Sequence, residues 1–403
     1  MFVLAAATIA IALPAPAAPS DGGGAEPRVF RLDPGRLFAT RARARALDPV
    51  LAPALARLQA EAARALGAGP FSVTTKVVTP PSGDRHDYMS QAPYWWRNPA
   101  TADGLPYVRR DGERNPEIRR ISDRDHLGRL VTAVETLALA YYLLGDDAWA
   151  QRAALLLRTW FLDPATGMNP HLEYGQGIPG LTQGRGIGII ETRSLIGLVD
   201  AVGLLAGSGA WTEADQRGLV AWFRGYLRWL RESGHGRDEA ATTNNHGTWY
   251  DAQVASFALF AGQPDLAREV LAAARTRRVA AQIQPDGRQP RELERTRSWS
   301  YSVMNLGGMV ALAALGERCG VDLWGFQSPD GRGIRKAIDW LVPFAQGRPW
   351  PHPQITPGSP GDLAPVLREA SARYRDARYE RVLALMPVPA DDRARLVEPS
   401  AAP

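Results

Sequence analysis

The 403-residue chain has one cysteine, Cys319, which excludes an internal disulfide; its apolar helical surroundings mark it as a small core residue. Lysine is nearly as scarce. Lys76 and Lys336 are the only two, so 45 of the 47 basic side chains are arginine, a bias that genomic base composition alone can produce. No basic run or stripe is present, because the arginines alternate with acids and apolar residues, and this argues against nucleic acid as a partner. The mild excess of +5 suits an anionic substrate instead. Metal motifs are missing: there is no His-Glu-x-x-His and no acidic calcium loop, and His86, His126 and His171 lack ligand spacing. Gly207-Ser208-Gly209 is too short for a nucleophile elbow, and Gly184-Arg185-Gly186-Ile187-Gly188 follows no strand, so a phosphate loop is excluded. Neither a metal nor any other cofactor is expected. The apolar run over residues 2–13 falls short of the roughly 20 residues that span a bilayer. Small residues follow it at Pro14-Ala15-Pro16-Ala17-Ala18, so residues 1–22 read as a signal peptide and leader. The expected location is periplasmic or secreted, with no membrane span in the mature protein.

What is present is a globular composition, 45% apolar and 22% charged, with no linker after residue 30. Residues 23–403 are therefore read as one domain. Apolar residues recur at helical spacing from residue 41 to 66 (Leu47, Leu51, Leu55, Leu58, Ala62) and again after Ser122, which with Asp125 resembles a capping box. Further helices are expected over 148–161, 194–205, 213–232, 248–261, 266–282, 301–315, 334–344 and 378–385. Nothing reads as a sheet. Two long excursions, 71–121 and 168–192, are rich in Gly and Pro, and the first carries Tyr88, Tyr94, Trp95, Trp96 and Tyr107. Loops of that length inside a compact domain are functional or disordered, and the aromatics favour function. The expected fold is all-α, an α/α toroid (incomplete or closed) of antiparallel helix hairpins whose long loops line a groove.

Two polar clusters interrupt this apolar scaffold. Asn244-Asn245-His246-Gly247-Thr248-Trp249-Tyr250-Asp251 places two amides, an imidazole and a phenol at a helix start, more than one N-cap requires. His246 and Tyr250 are four apart and share a helix face. Arg295-Thr296-Arg297-Ser298-Trp299-Ser300-Tyr301-Ser302 is the second. Arg295 and Tyr301 are ~120° apart on an ideal helix, so they converge only if Arg295 lies in the preceding loop or first turn; Arg297 is the rival for its role. A core tyrosine and solvated arginines are the plainer alternative.

These clusters, with Lys76-Val77-Val78-Thr79-Pro80-Pro81-Ser82-Gly83-Asp84-Arg85-His86-Asp87-Tyr88-Met89-Ser90, Ala92-Pro93-Tyr94-Trp95-Trp96, Asp103-Gly104-Leu105-Pro106-Tyr107 and Arg110-Asp111-Gly112-Glu113, resemble the alginate lyase domain family over roughly residues 70 to 345. The nearest branch is the single-domain α/α-toroid lyases acting on polymannuronate or glucuronan. The resemblance implies β-elimination on a uronate polymer, an anionic polysaccharide. It assigns Tyr301 as base and acid, and Asn245, His246 and Arg295 as donors to the substrate carboxylate. Glu239, seven residues before His246, would be a further neutralising acid. A free phenol titrates near 10, so Tyr301 would be depressed by Arg295 and His246 or transfer its proton in concert. Substrate contacts are expected from Lys76, His86, Tyr88, Tyr94, Trp95, Arg185, Asn244 and Tyr250. Two other functions fit a toroid: a glycoside hydrolase using two of Glu173, Glu191 and Glu239, and a non-catalytic polysaccharide-binding protein.

Overall fold

A computed structural model describes residues 26–386 and 389–397, so the signal peptide expected over 1–22 lies outside the described residues. Among the described residues there are fifteen α-helices. The first is α1 (Pro34–Arg45), opened by the Asp33 side chain accepting from the Arg36 amide, and α2 (Ala52–Ala65) follows. The sequence predicted one helix here. Leu47 at φ 56° breaks it, and Pro49 disfavours helical backbone at Asp48.

The ring continues through α3 (Asp123–Leu144), α4 (Asp147–Leu157), α5 (Leu195–Leu204), α6 (Glu213–Glu232), α7 (Gly234–Ala241) and α8 (Asn245–Phe260). It goes on through α9 (Pro264–Ala274), the single-turn α10 (Pro290–Leu293), α11 (Ser298–Glu317), α12 (Ile334–Ala345), α13 (Ala364–Tyr374), α14 (Ala377–Ala384) and α15 (Ala394–Val397). Neighbouring helices pack as hairpins, and α15 returns against α1 and α2 to make an α/α toroid. Helix α6 begins with a complete capping box from Thr212 and Asp215. Helix α3 does not: Ser122 has helical backbone and makes no cap, so Asp123 and Asp125 favour this end only through their charge on the helix dipole. This helix is long and apolar enough to cross a membrane, but 67% of its apolar window is buried in the protein, as in a core helix.

The excursions hold short strands where none was expected. β1 (Met89–Gln91) pairs in parallel with β4 (Tyr174–Gly177), and β2 (Trp95–Trp96) pairs antiparallel with β3 (Val108–Arg109). These segments are too short to show an alternating pattern, yet they tie the two excursions together over one end of the ring.

Helices α8 and α11 lie side by side through the middle and are buried on almost every face. Their close approach depends on Gly308, where a Cβ would come within 2.9 Å of Thr248 and 3.2 Å of Trp249. The two polar clusters of the sequence are the N-terminal ends of these two helices.

Candidate active site

A cavity of about 720 Å³ opens where the first turns of α8 and α11 meet the strand-bearing loops. Asn244, Asn245, His246, Arg295 and Tyr301 line it, as do Tyr94, Trp95 and Arg185 from the loops.

The α8 side is assembled by buried polar contacts. Asn244 caps the helix, accepting from the His246 amide at 3.2 Å. Asn245 is fully buried and clamped by Glu292: its amide N–H donates to one carboxyl oxygen at 2.6 Å and its Nδ2 to the other at 2.8 Å. Its Oδ1 is buried with no hydrogen-bond partner. His246 Nδ1 lies 2.7 Å from Glu239 Oε1. Glu239 is itself buried and does not line the cavity, which corrects its expected role as a donor to substrate; it orients the imidazole from behind.

The strap before α8 is held just as tightly. Buried Arg278 donates to Asp251 at 2.7 Å and to the Thr242 and Ala240 carbonyls at 2.6 and 2.7 Å. A π-helical stretch, Arg275–Ala280, brings both Arg277 and Arg278 onto Asp251. Gly247 is required where this strap crosses: a Cβ there would overlap the Thr242 carbonyl and Arg278 Nη1.

On the other side, the Tyr301 hydroxyl is 2.8 Å from the Tyr94 hydroxyl, and the Arg295 guanidinium lies 3.8 Å over the Tyr301 ring. Arg295 reaches that position from the loop before α11, as convergence demanded. Both of its forks go to Asp111, at 2.8 and 3.2 Å. Burial works against the Asp111 carboxylate, but Arg295 and Thr296 outweigh it and hold its pKa well below the usual range. Gly112, at φ 77°, lets this loop close on Thr296. Arg297 is also in the lining, and its Nε is buried with no partner. Both rivals therefore line the cavity: Arg295 gives Nε and Nη2 to Asp111 and keeps Nη1, while the Arg297 guanidinium carries an unpartnered Nε.

The expectation of a depressed Tyr301 is corrected. Burial raises its pKa above the ordinary phenol value, with Arg295 opposing and the Tyr94 hydroxyl adding to the rise.

Arg185 donates to the Gln176 side chain at 2.9 Å at the cavity wall. The remaining expected substrate contacts are structural. The Lys76 ammonium is buried, with Asp123 at 3.0 Å, the Arg85 carbonyl at 2.8 Å and the Val73 carbonyl at 2.5 Å, so all three of its donors are used. Burial lowers the Lys76 pKa and raises that of Asp123 to about 6. Tyr88 is fully buried and donates to Glu191 at 2.8 Å. Tyr250 is buried with its hydroxyl on the Leu230 carbonyl at 2.7 Å. His86 holds the Gly167 carbonyl at 2.6 Å, outside the cavity.

Arginines that the sequence reading did not single out complete the wall: Arg109, Arg114, Arg124, Arg193 and Arg291. Among the described residues the only carboxylate in the lining is Glu294. Glu173, Glu191 and Glu239 are absent from it, so the paired carboxylates of a hydrolase are not assembled here. Among the described residues no three His, Cys, Asp or Glu side chains group as a metal site.

The model of the alginate lyase family matches residues 72–351. An alginate lyase from Bacteroides ovatus superimposes with a TM-score of 0.89 at 40% identity, covering 92% of this chain and 99% of that one. Alginate lyase A1-III from Sphingomonas species A1 shares the fold at 18% identity, with a TM-score of 0.60 over 92% of this chain and 96% of that one. A substituted form of alginate lyase A1-III, complexed with a tetrasaccharide, gives 0.59 at 17% identity over 94% and 98%. No curated protein matches the chain. The chain belongs to the alginate lyase family, and it is a polysaccharide lyase.

Proposed function

We propose that the protein cleaves 4-O-linked uronate polymers, alginate, polymannuronate or glucuronan, by β-elimination, with Tyr301 as both base and acid. One observation carries this reading. The Tyr301 phenol from α11 and the Asn245 and His246 side chains from α8 line a single cavity that is rich in arginine and has one carboxylate.

The chemistry follows from the substrate. The C5 proton lies α to a carboxylate and stays weakly acidic until the charge of the enolate-like intermediate is held. Preorganised donors at that oxygen are the largest source of such stabilisation. Asn245, whose Nδ2 keeps a second N–H beside the one given to Glu292, and His246, fixed by Glu239, supply rigid donors, and Arg295 and Arg297 supply the cations. Arg295 acts from the Tyr301 face, where its charge favours the phenolate against the effect of burial. In a mannuronate the C5 hydrogen and the C4 oxygen are on the same side of the ring. Tyr301 therefore takes the proton from C5 and returns it to the leaving O4; the C4–O4 bond breaks and a C4–C5 double bond forms. No step is routed through a metal. The tetrasaccharide complex of the distant relative supports an oligosaccharide as the ligand of this cavity.

The test is ultraviolet absorbance of the new double bond on polymannuronate, polyguluronate and polyglucuronate. Absorbance that rises with new chain ends supports the lyase. New reducing ends without unsaturation would select hydrolysis, and binding without turnover a non-catalytic protein.

A further inference from the structure

A second cavity, of about 1090 Å³, lies beside the catalytic one and is not used by the elimination chemistry. Arg114 and Arg124 line both, so the two spaces share a wall made of two guanidinium groups. From that wall the second cavity runs along α2 and α3, bordered by Arg64, Arg119, Arg129 and Arg393 against only Glu61 and Asp125. Arg129 and Arg393 are each 3.8 Å from one of these acids, Asp125 and Glu61 respectively. Arg64, Arg114 and Arg119 have no carboxylate partner among the described residues. Arg124 reaches Glu191 at 3.6 Å, but its Nη1 is buried without a hydrogen-bond partner, and so is the Ser122 hydroxyl oxygen on the same wall. Arg124 and Arg297 both act on Arg114; burial, then these neighbouring cations, lower its pKa.

Six arginines facing three carboxylates leave the wall net positive, and a polyanion threaded past it offsets that excess while satisfying the unpaired donors. We propose that this second cavity is a remote binding groove for the same substrate: Arg114 and Arg124 hand the polyuronate from the catalytic cavity to Arg64 and Arg119, which hold carboxylates several sugars away from the scissile bond. The inference rests on the lyase reading for the identity of the polymer, and it makes the protein one that grips long chains better than short ones.

The test is calorimetric binding of mannuronate and glucuronate tri- and octasaccharides to the intact protein carrying Tyr301→Phe, with and without Arg64→Gln and Arg119→Gln. Two charge-assisted contacts predict that the octasaccharide binds at least about tenfold more tightly than the trisaccharide. The double substitution should remove most of that gain and leave trisaccharide affinity within about twofold, with a weaker dependence of octasaccharide binding on salt. Both arginines are exposed, so folding is checked by a thermal melt; if the pair melts early, Arg119→Gln alone is read the same way. No gain with length, or a gain that survives the substitutions, overturns the groove. Length-dependent binding by Tyr301→Phe, together with no unsaturated product from the parent protein with Tyr301 intact, refutes the lyase reading and keeps the groove.

Discussion

Replacing Glu239 with glutamine separates a group that orients the imidazole from one that touches substrate. The Glu239 carboxyl is buried behind His246, 2.7 Å from Nδ1, and has no surface in the catalytic cavity. Glutamine keeps the volume but weakens the contact that fixes the ring and its tautomer. A hydrogen bond to a charged group contributes about 1.5–3 kcal/mol, and about 1.4 kcal/mol is tenfold in rate. The substitution should therefore lower kcat about 10- to 150-fold. KM should stay within about twofold, since the residue does not reach the sugar. Melting temperature should move by no more than about 4 °C, the shift that the loss of roughly 3 kcal/mol produces in a protein this large. Initial rates come from the absorbance of the unsaturated product over a range of polyuronate concentrations. A raised KM with kcat unchanged would place Glu239 on the substrate and refute the positioning role; an unchanged kcat would refute the importance of the imidazole.

Three further outcomes follow from the same geometry. Gly247→Ala puts a methyl group against the Thr242 carbonyl and Arg278 Nη1, and overpacking of that kind costs about 1–3 kcal/mol; the expected result is a lower melting temperature together with reduced kcat, and a neutral effect on both would contradict it. Lys76→Met leaves Asp123 buried without its partner, which destabilises by about 3–5 kcal/mol, while KM of the folded fraction stays that of the parent; a KM effect without a stability loss would restore Lys76 as a substrate contact. Burial raises the Tyr301 pKa, so the phenolate is a small fraction at neutral pH and grows tenfold with each pH unit until that raised value is reached. The logarithm of kcat/KM should accordingly climb with a slope near ~1 between about pH 7 and 9, and a flat profile there would show that free phenolate is not the base.

Much of this arrangement was legible in the sequence, for a physical reason. Asn244 to Asp251 and Arg295 to Ser302 are polar groups inside strongly apolar helices, and each must be matched by a partner or a ligand. What sequence spacing could not convey was which polar group meets protein and which faces the cavity. Lys76 stood out because lysine is scarce, yet its three donors are spent on Asp123 and two carbonyls. Tyr88 and Tyr250 share motifs with site residues but turn their hydroxyls to Glu191 and the Leu230 carbonyl. Glu292, which no motif singled out, is the buried clamp on Asn245. Arg114, Arg124 and Arg193 lie outside any helical period shared with Arg297, and only the folding of the long excursions brings them to one wall. The short strands that order those excursions were hidden for the same reason: pairing between segments as distant as Met89–Gln91 and Tyr174–Gly177 is a tertiary event with no local pattern.

The proposition beneath all of this is that one phenol moves the proton from C5 to O4. Tyr301→Phe removes a single oxygen, the one that faces Tyr94, and leaves the ring under Arg295. Its kcat on polyuronate, measured beside its calorimetric affinity for the same polymer, should fall at least about 10²–10⁴-fold, the usual worth of a positioned proton-transfer group, with affinity within about threefold of the parent. A Tyr301→Phe protein that still generates the unsaturated product at near-parental rate would contradict the account.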